Sequence, residues 1–320
     1  MKAVIIGAGA IGGWIAGLLT ESGAEVSLLA RGQTLAALRD NGLRIRRGDD
    51  EKHYALHASD DAAALGQPDF VFIGVKGQAV PHIAPAVAAL CGPQTAVIPA
   101  VNGVPWWFFD VDGVPFAHTA LASVDPGGVT ARAIATSRVI GCVVHASAFT
   151  PESGVVQVNG EDKLIFGEPD GAGSKRVDAL VNAVTRGPLK GVASDHIRAD
   201  IWLKLWGNMS MNPLSVLTMA STGDMLDNDD VRALVRVMMQ EMQAIGKKIG
   251  LPLDMTPDDR MAITQKLGSF KTSMLRDAEA GRPIEIDPIL GVLAEIADIT
   301  DVPAPSLRMV LGLLRVRGAQ

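Results

Sequence analysis

The sequence predicts a parallel α/β domain followed by an all-helical domain, and three observations carry that prediction. Short β-branched runs alternate with Ala-rich helical stretches through the first half, which is the rhythm of strand, crossover helix and parallel strand. A glycine triplet, Gly7-Ala8-Gly9-Ala10-Ile11-Gly12, stands between the first apolar strand and the first apolar helix. From His196 onward the 3.6-residue apolar period takes over.

Taken in order, Lys2 to Ile6 reads as a buried strand, Ile11 to Ser22 as a helix, and Glu25 to Leu29, Phe70 to Val75 and Thr95 to Ile98 as further strands. Ser137 to Val144, Gly154 to Val158 and Lys163 to Phe166 have period-two character with no long helix between them. They predict hairpins that end the parallel sheet in an antiparallel part. Gly167 to Ser174 is a turn-rich loop, after which a helix (Arg176 to Thr185) and a strand near Val192 continue the α/β pattern. The domain boundary is accordingly expected after residue 195, giving domains of 1–195 and 196–320. Candidate helices of the second domain are Ile201 to Leu217, Val231 to Ile249, Asp258 to Leu267, Pro288 to Ile299 and Ser306 to Leu314.

Composition narrows the function. The chain has 320 residues, 48% of them hydrophobic, so it is long enough to bury a core without disulfides or structural metal. Its net charge of -6 and the lack of a long basic block disfavour nucleic acid. No apolar run reaches the length of a membrane span, and Met-Lys-Ala-Val-Ile-Ile-Gly leaves no room for a signal peptide. A cytoplasmic location is expected. Cys91 and Cys142, without a Cys-x-x-Cys spacing, read as small buried hydrophobes of a reducing compartment.

The glycine triplet matches G-x-G-x-x-G in the context that gives the pattern meaning. The first glycine permits the tight turn, the second lets backbone approach a pyrophosphate, and the third lets helix and strand pack closely. Residues 7 to 12, with the helix N-terminus behind them, therefore predict a Rossmann-type dinucleotide site. The second strand, Val26 to Ala30, ends in Arg31 rather than in a carboxylate. An arginine there accommodates a ribose 2′-phosphate, so NADPH/NADP is the expected cofactor.

A second constellation lies in Trp202 to Pro213, where Lys204, Asn208 and Asn212 recur every four residues. Each step of four advances 40° around a helix, so the three polar ends share one stripe. That stripe is either a solvent face or the floor of a cleft. Two Asn, poor helix formers but two-way hydrogen bonders, favour a site. A partly desolvated ammonium has a lowered proton affinity, which suits a general acid. In a third stretch, Lys271 to Asp287, Glu285 and Asp287 read either as helix-start residues or as carboxylates for a substrate hydroxyl.

Together these residues resemble the ketopantoate reductase (2-dehydropantoate 2-reductase) family. The resemblance rests on the glycine turn, Arg31, Val75-Lys76, Asn102-Gly103, Lys204-x3-Asn208-x3-Asn212-Pro213, and Thr272-Ser273-Met274-Leu275 followed by Glu285-Ile286-Asp287. It implies a helical domain like the C-terminal domain of 6-phosphogluconate dehydrogenase, with NADPH and a 2-keto acid meeting between the domains. It also implies catalytic roles for Lys204, as general acid, and Glu285, as anchor for the substrate hydroxyl. By the same likeness Asn208, Asn212, Ser273 and Asn102 orient substrate through neutral donors, and Lys76 and Asn102 lie beside the cofactor.

The implied reaction reduces ketopantoate to pantoate for pantothenate and coenzyme A synthesis; the apolar helices of the second domain are compatible with a homodimer. Pro99 to Phe109 lacks the Gln before Asn-Gly and the Gly soon after it that the family usually carries, and Lys76-Gly77-Gln78 is shorter than the usual spacing to Gln. Trp106 and Trp107 read either as domain-interface packing or as a pocket reshaped for another acid. The alternatives are a reductase of a different 2-keto acid and a non-catalytic NADP-binding sensor. His53 and His57 are read as an exposed hairpin pair rather than metal ligands, and Met238, Met239 and Met242 as core or subunit contact.

Overall fold

The computed structural model describes residues 1–187 and 189–318, and it divides into two compact units. The first unit comprises Met1–Val101 and Gly127–Asp200; the second comprises Asn102–Pro126 and the chain from Ile201 onward.

In chain order the first unit contains β1 (Lys2–Ile6), α1 (Ala10–Glu21), β2 (Glu25–Leu29), α2 (Gly32–Asn41), β3 (Leu43–Arg47), β4 (Asp50–Tyr54), β5 (His57–Ser59), β6 (Phe70–Ile73), α3 (Val80–Leu90), β7 (Ala96–Pro99), α4 (Val129–Ala133), β8 (Gly141–Glu152), β9 (Val155–Gly167), α5 (Lys175–Val184) and β10 (Lys190–Ala193). The parallel sheet has the order β5-β2-β1-β6-β7. In β1, Ala3 to Ile6 are buried on both faces, as a central parallel strand requires. The α1 helix covers the sheet with Trp14, Ile15, Leu18 and Leu19, each at most 1% exposed.

The antiparallel part departs from the sequence expectation. It belongs to a second sheet, ordered β10-β9-β3-β4, with β8 paired antiparallel to β9. The two expected short strands, Gly154 to Val158 and Lys163 to Phe166, are one strand, β9. Its centre, Asn159-Gly160-Glu161-Asp162, is polar and mostly exposed, so the apolar alternation breaks although pairing with β8 continues through register shifts. His53 and His57 do not share a hairpin: His53 lies on β4 of this sheet and His57 on β5 of the parallel one.

The division between units falls within α6 (Ile197–Thr218). Beyond it come α7 (Thr222–Asp227), α8 (Asp229–Lys248), α9 (Pro257–Lys266), α10 (Ser273–Glu279), a π-helical turn (Asp287–Gly291), α11 (Val292–Ile299) and α12 (Pro305–Gly318). All regular elements described in the second unit are helical. The α8 helix shows why this stretch folds so: Asn228 caps Val231 N–H, Asp229 and Asp230 occupy the first turn, and Lys247 and Lys248 the last. Its Met238, Met239 and Met242 are fully buried, which settles them as core.

The aromatic run Trp106 to Phe109 also packs into the second unit. All four side chains are buried, and Phe108 stacks on Trp202 of α6 with ring centroids 6.1 Å apart. Among the described residues, no helix is long and apolar enough to cross a membrane.

Candidate active site

The glycine turn of the first unit is shaped by close backbone approach. Gly7 has φ +90, and a Cβ there would stand 2.6 Å from Val75 Cγ1. A Cβ on Gly12 would clash with the Gly7 carbonyl oxygen. Strand, turn and helix can meet this tightly only without side chains at those two positions. Gly9 differs: a Cβ there would meet nothing within 4 Å, so the turn is open on that side. No side chain caps α1, and no acidic residue occupies its first turn. Its first-turn N–H groups therefore remain available to an anion, with the helix dipole favouring negative charge.

Ala8, Ala10 and Ile11 complete this turn. Arg31 follows β2 by way of Ala30, as the N-cap residue of α2. It is exposed, and its guanidinium has no hydrogen bond or ion pair among the described residues. Lys76 follows β6 by way of Gly74 and Val75 and is half-buried. These residues all belong to the first unit.

Lys204, Asn208, Asn212, Ser273, Glu285 and Asn102 all belong to the second. Three of them, distant in sequence, form one hydrogen-bonded chain. Lys204 Nζ donates to Asn102 Oδ1 at 2.9 Å, and Asn102 Nδ2 donates to Glu285 Oε2 at 3.3 Å. The Asn102 amide thus links an ammonium to a carboxylate, with its acceptor end to the cation and its donor end to the anion. Glu285 is 5% exposed, so its charge needs such partners.

Gly103 makes this arrangement possible. Its φ is +86, and a Cβ would lie 2.6 Å from the Pro288 carbonyl carbon. The Val104 N–H donates to the Pro288 carbonyl oxygen at 3.2 Å. The segment bearing Asn102 is therefore held against the π-helical turn that follows Glu285, a kind of irregular helix frequent at functional sites.

Asn208 and Asn212 continue from Lys204 along α6, which runs unbroken through Pro213. Their side-chain amides have no hydrogen-bond partner among the described residues, although Asn212 is only 6% exposed. Buried amides are normally satisfied, so Asn212 suits a polar ligand, with the half-buried Asn208 one turn before it on the same stripe. Ser273 is exposed and opens α10; its neighbour Thr272 caps that helix and shares a 2.6 Å hydrogen bond with Ser215 of α6. Gly103 as a packing device and the Thr272–Ser215 tie were not recognised from sequence. The positive-φ demand of an Asn-Gly pair was the available signal for the first.

Two family models match the chain: Ketopantoate reductase PanE/ApbA over residues 3–107, and its C-terminal counterpart over residues 196–318. A 2-dehydropantoate 2-reductase of Mesorhizobium japonicum is 38% identical over 316 residues, covering 98% of this chain and 97% of the relative. The chain belongs to the ketopantoate reductase family. It is accordingly an oxidoreductase with a dinucleotide-binding unit and a helical unit.

A crystal structure from Ralstonia solanacearum MolK2, described as that of a candidate ketopantoate reductase, superposes with a TM-score of 0.94. It is 42% identical, covering 98% of this chain and 97% of that one. D-mandelate dehydrogenase, solved with NADH and anilino(oxo)acetate, has a TM-score of 0.86 at 18% identity, covering 100% and 99% of the two chains. That likeness speaks to the fold alone.

Proposed function

We propose that the protein is an NADPH-dependent 2-keto acid reductase that converts ketopantoate to pantoate, with Lys204 as general acid. The observation that carries this reading is the Lys204–Asn102–Glu285 chain, which presents a proton donor and a carboxylate together. The nicotinamide, when bound, supplies the hydride. As negative charge develops on the substrate's carbonyl oxygen, Lys204 stabilises it and transfers a proton to it. Asn102 holds the ammonium in place, Glu285 accepts the substrate hydroxyl, and Asn208, Asn212 and Ser273 orient the remaining polar atoms.

Residues 7 to 12 would hold the pyrophosphate against the open side of Gly9 and the uncapped start of α1. The unpartnered Arg31 guanidinium would take the ribose 2′-phosphate, and Lys76 would lie beside the cofactor. On this reading residues 1–195, less Asn102–Pro126, supply the cofactor domain. Residues 196–320, joined by Asn102–Pro126, supply substrate binding and dimerisation. The product would feed pantothenate and coenzyme A synthesis. Sedimentation velocity checks the homodimer.

The test follows NADPH absorbance with a panel of 2-keto acids, in which ketopantoate is the fastest. Lys204→Ala lowers turnover by at least about a hundredfold while NADPH affinity stays nearly intact. Undiminished reduction by that variant removes Lys204 from the mechanism. A different 2-keto acid is the second reading. It is favoured by the buried Trp106 and Trp107, whose indole N–H groups have no acceptor among the described residues. An NADPH-binding protein inert with the whole panel would instead be a sensor.

A further inference from the structure

One cation of the second unit lacks an opposite charge. Arg260, on α9, is half-buried, and its Nη1 donates to Thr264 Oγ1 at 3.1 Å. The acidic residues beside it are engaged elsewhere: Asp258 pairs with Arg236, and Asp259 accepts from Thr256 Oγ1. No ion pair to Arg260 exists among the described residues. Burial pushes its pKa down, as expected for a guanidinium taken from water without a counter-charge. It stays protonated at neutral pH all the same.

Its seat is a notch in α6. Gly207 lies mid-helix, where glycine is less favourable than alanine. A Cβ at that position would lie 2.9 Å from Arg260 Cζ, so the missing side chain is what admits the guanidinium to the helix surface. Gly207 stands three residues after Lys204 and one before Asn208. Positions i, i+3 and i+4 are neighbours on a helix, separated by about 4.5–6 Å along its axis. The guanidinium therefore rests on the same patch of α6 from which Lys204 and Asn208 project. An anion bound at such a patch meets opposite charge from both side chains.

We propose that Arg260 is a substrate-binding residue that takes the carboxylate of the 2-keto acid, while Lys204 serves the adjacent carbonyl oxygen. The inference rests on the reductase reading above. A 2-keto acid carries its carboxylate and its reactive carbonyl on neighbouring carbons, which matches two cations within one helical turn. The planar fork of a guanidinium can hold both carboxylate oxygens and so fix the plane of the substrate. Ser273 and the stripe asparagines then serve the other polar groups rather than bear the carboxylate alone.

The test compares each 2-keto acid with its uncharged methyl ester under NADPH. Arg260→Gln raises KM for the acid by about tenfold or more, the low end for a charge-assisted hydrogen bond, and leaves KM for the ester and the NADPH Kd within about twofold. Arg260→Lys recovers part of the loss. Gly207→Ala, which pushes the guanidinium off α6, reproduces the acid-selective defect without altering Arg260 itself. Equal losses for acid and ester, or an unchanged KM for the acid, in a wild-type-active background overturn the role of Arg260 alone. A wild-type protein inert toward every 2-keto acid overturns the reductase reading and this inference with it.

Discussion

The glycine turn and the Lys204 cluster are built on opposite principles. The turn is defined by absent side chains: Gly7 and Gly12 let backbone meet backbone, and Gly9 leaves open space where a ligand can approach. The cluster is defined by side chains that come together from residues 102, 204 and 285. A backbone site is local and survives as a short motif. A side-chain site is assembled by the packing of distant segments, here by Gly103 against Pro288.

The comparison can be broken from either end. Gly12→Val drives atoms into the Gly7 carbonyl and should lower dinucleotide affinity by at least about tenfold, with overpacking of about 1–3 kcal/mol. Fluorescence titration with NADPH and a thermal melt measure both effects, and normal affinity would show that the turn tolerates side chains. Gly103→Ala should do the reverse. It displaces Asn102 from Glu285, lowers kcat about tenfold and costs about 1–3 kcal/mol of stability for the strained φ, with NADPH affinity nearly unchanged. A change in NADPH Kd without a change in kcat would contradict the assignment.

Arg31→Asp sharpens the backbone side of the comparison. It should weaken NADPH binding roughly tenfold more than NADH binding, since each charge-assisted contact is worth about 1.5–3 kcal/mol. Equal losses for the two cofactors would remove the phosphate role.

The smallest effect concerns how the first unit is held together. Burial pushes Glu21 up, but hydrogen bonds from Lys52, Tyr54 and Arg186 outweigh it and bring its pKa down to about 2. A carboxyl lowered in the folded state adds stability above its ordinary value of 4.5, and that contribution is lost as pH falls toward about 2. Glu21→Gln should therefore flatten the acid limb of the melting profile between those values and leave kcat at neutral pH unchanged. An acid limb identical to wild type would show that the cluster contributes nothing.

Sequence legibility follows the same division. Lys2–Ile6, Ala10–Glu21 and the long helices around Lys204 and Met238 were readable because each carries its own period and punctuation. The short α7 was missed, since its 6 residues hold fewer than two turns of pattern. The second sheet was missed because residues 51–57, which include most of β4, read as an exposed hairpin, and nothing local says that β9 will pair with β3. In the candidate site, residue types were legible and their partners were not. Lys204, Asn208 and Asn212 declared a shared face by spacing, whereas the bonds from Asn102 to Lys204 and Glu285 span 102 and 183 residues. Nothing in the stripe itself says why position 207 is glycine, whereas Arg260 lying over it does.

By itself the sequence determined the class of the longer segments, the glycine turn and the helical stripe, because those depend on dihedral preferences and periodicity within a few residues. Only the tertiary structure decided that the strands form two sheets, that Trp106 to Phe109 join the helical unit, and which amide bridges the lysine to the carboxylate. Those outcomes depend on which apolar faces cover one another and on how buried polar groups find partners. That competition runs over the whole chain, and no short window contains it.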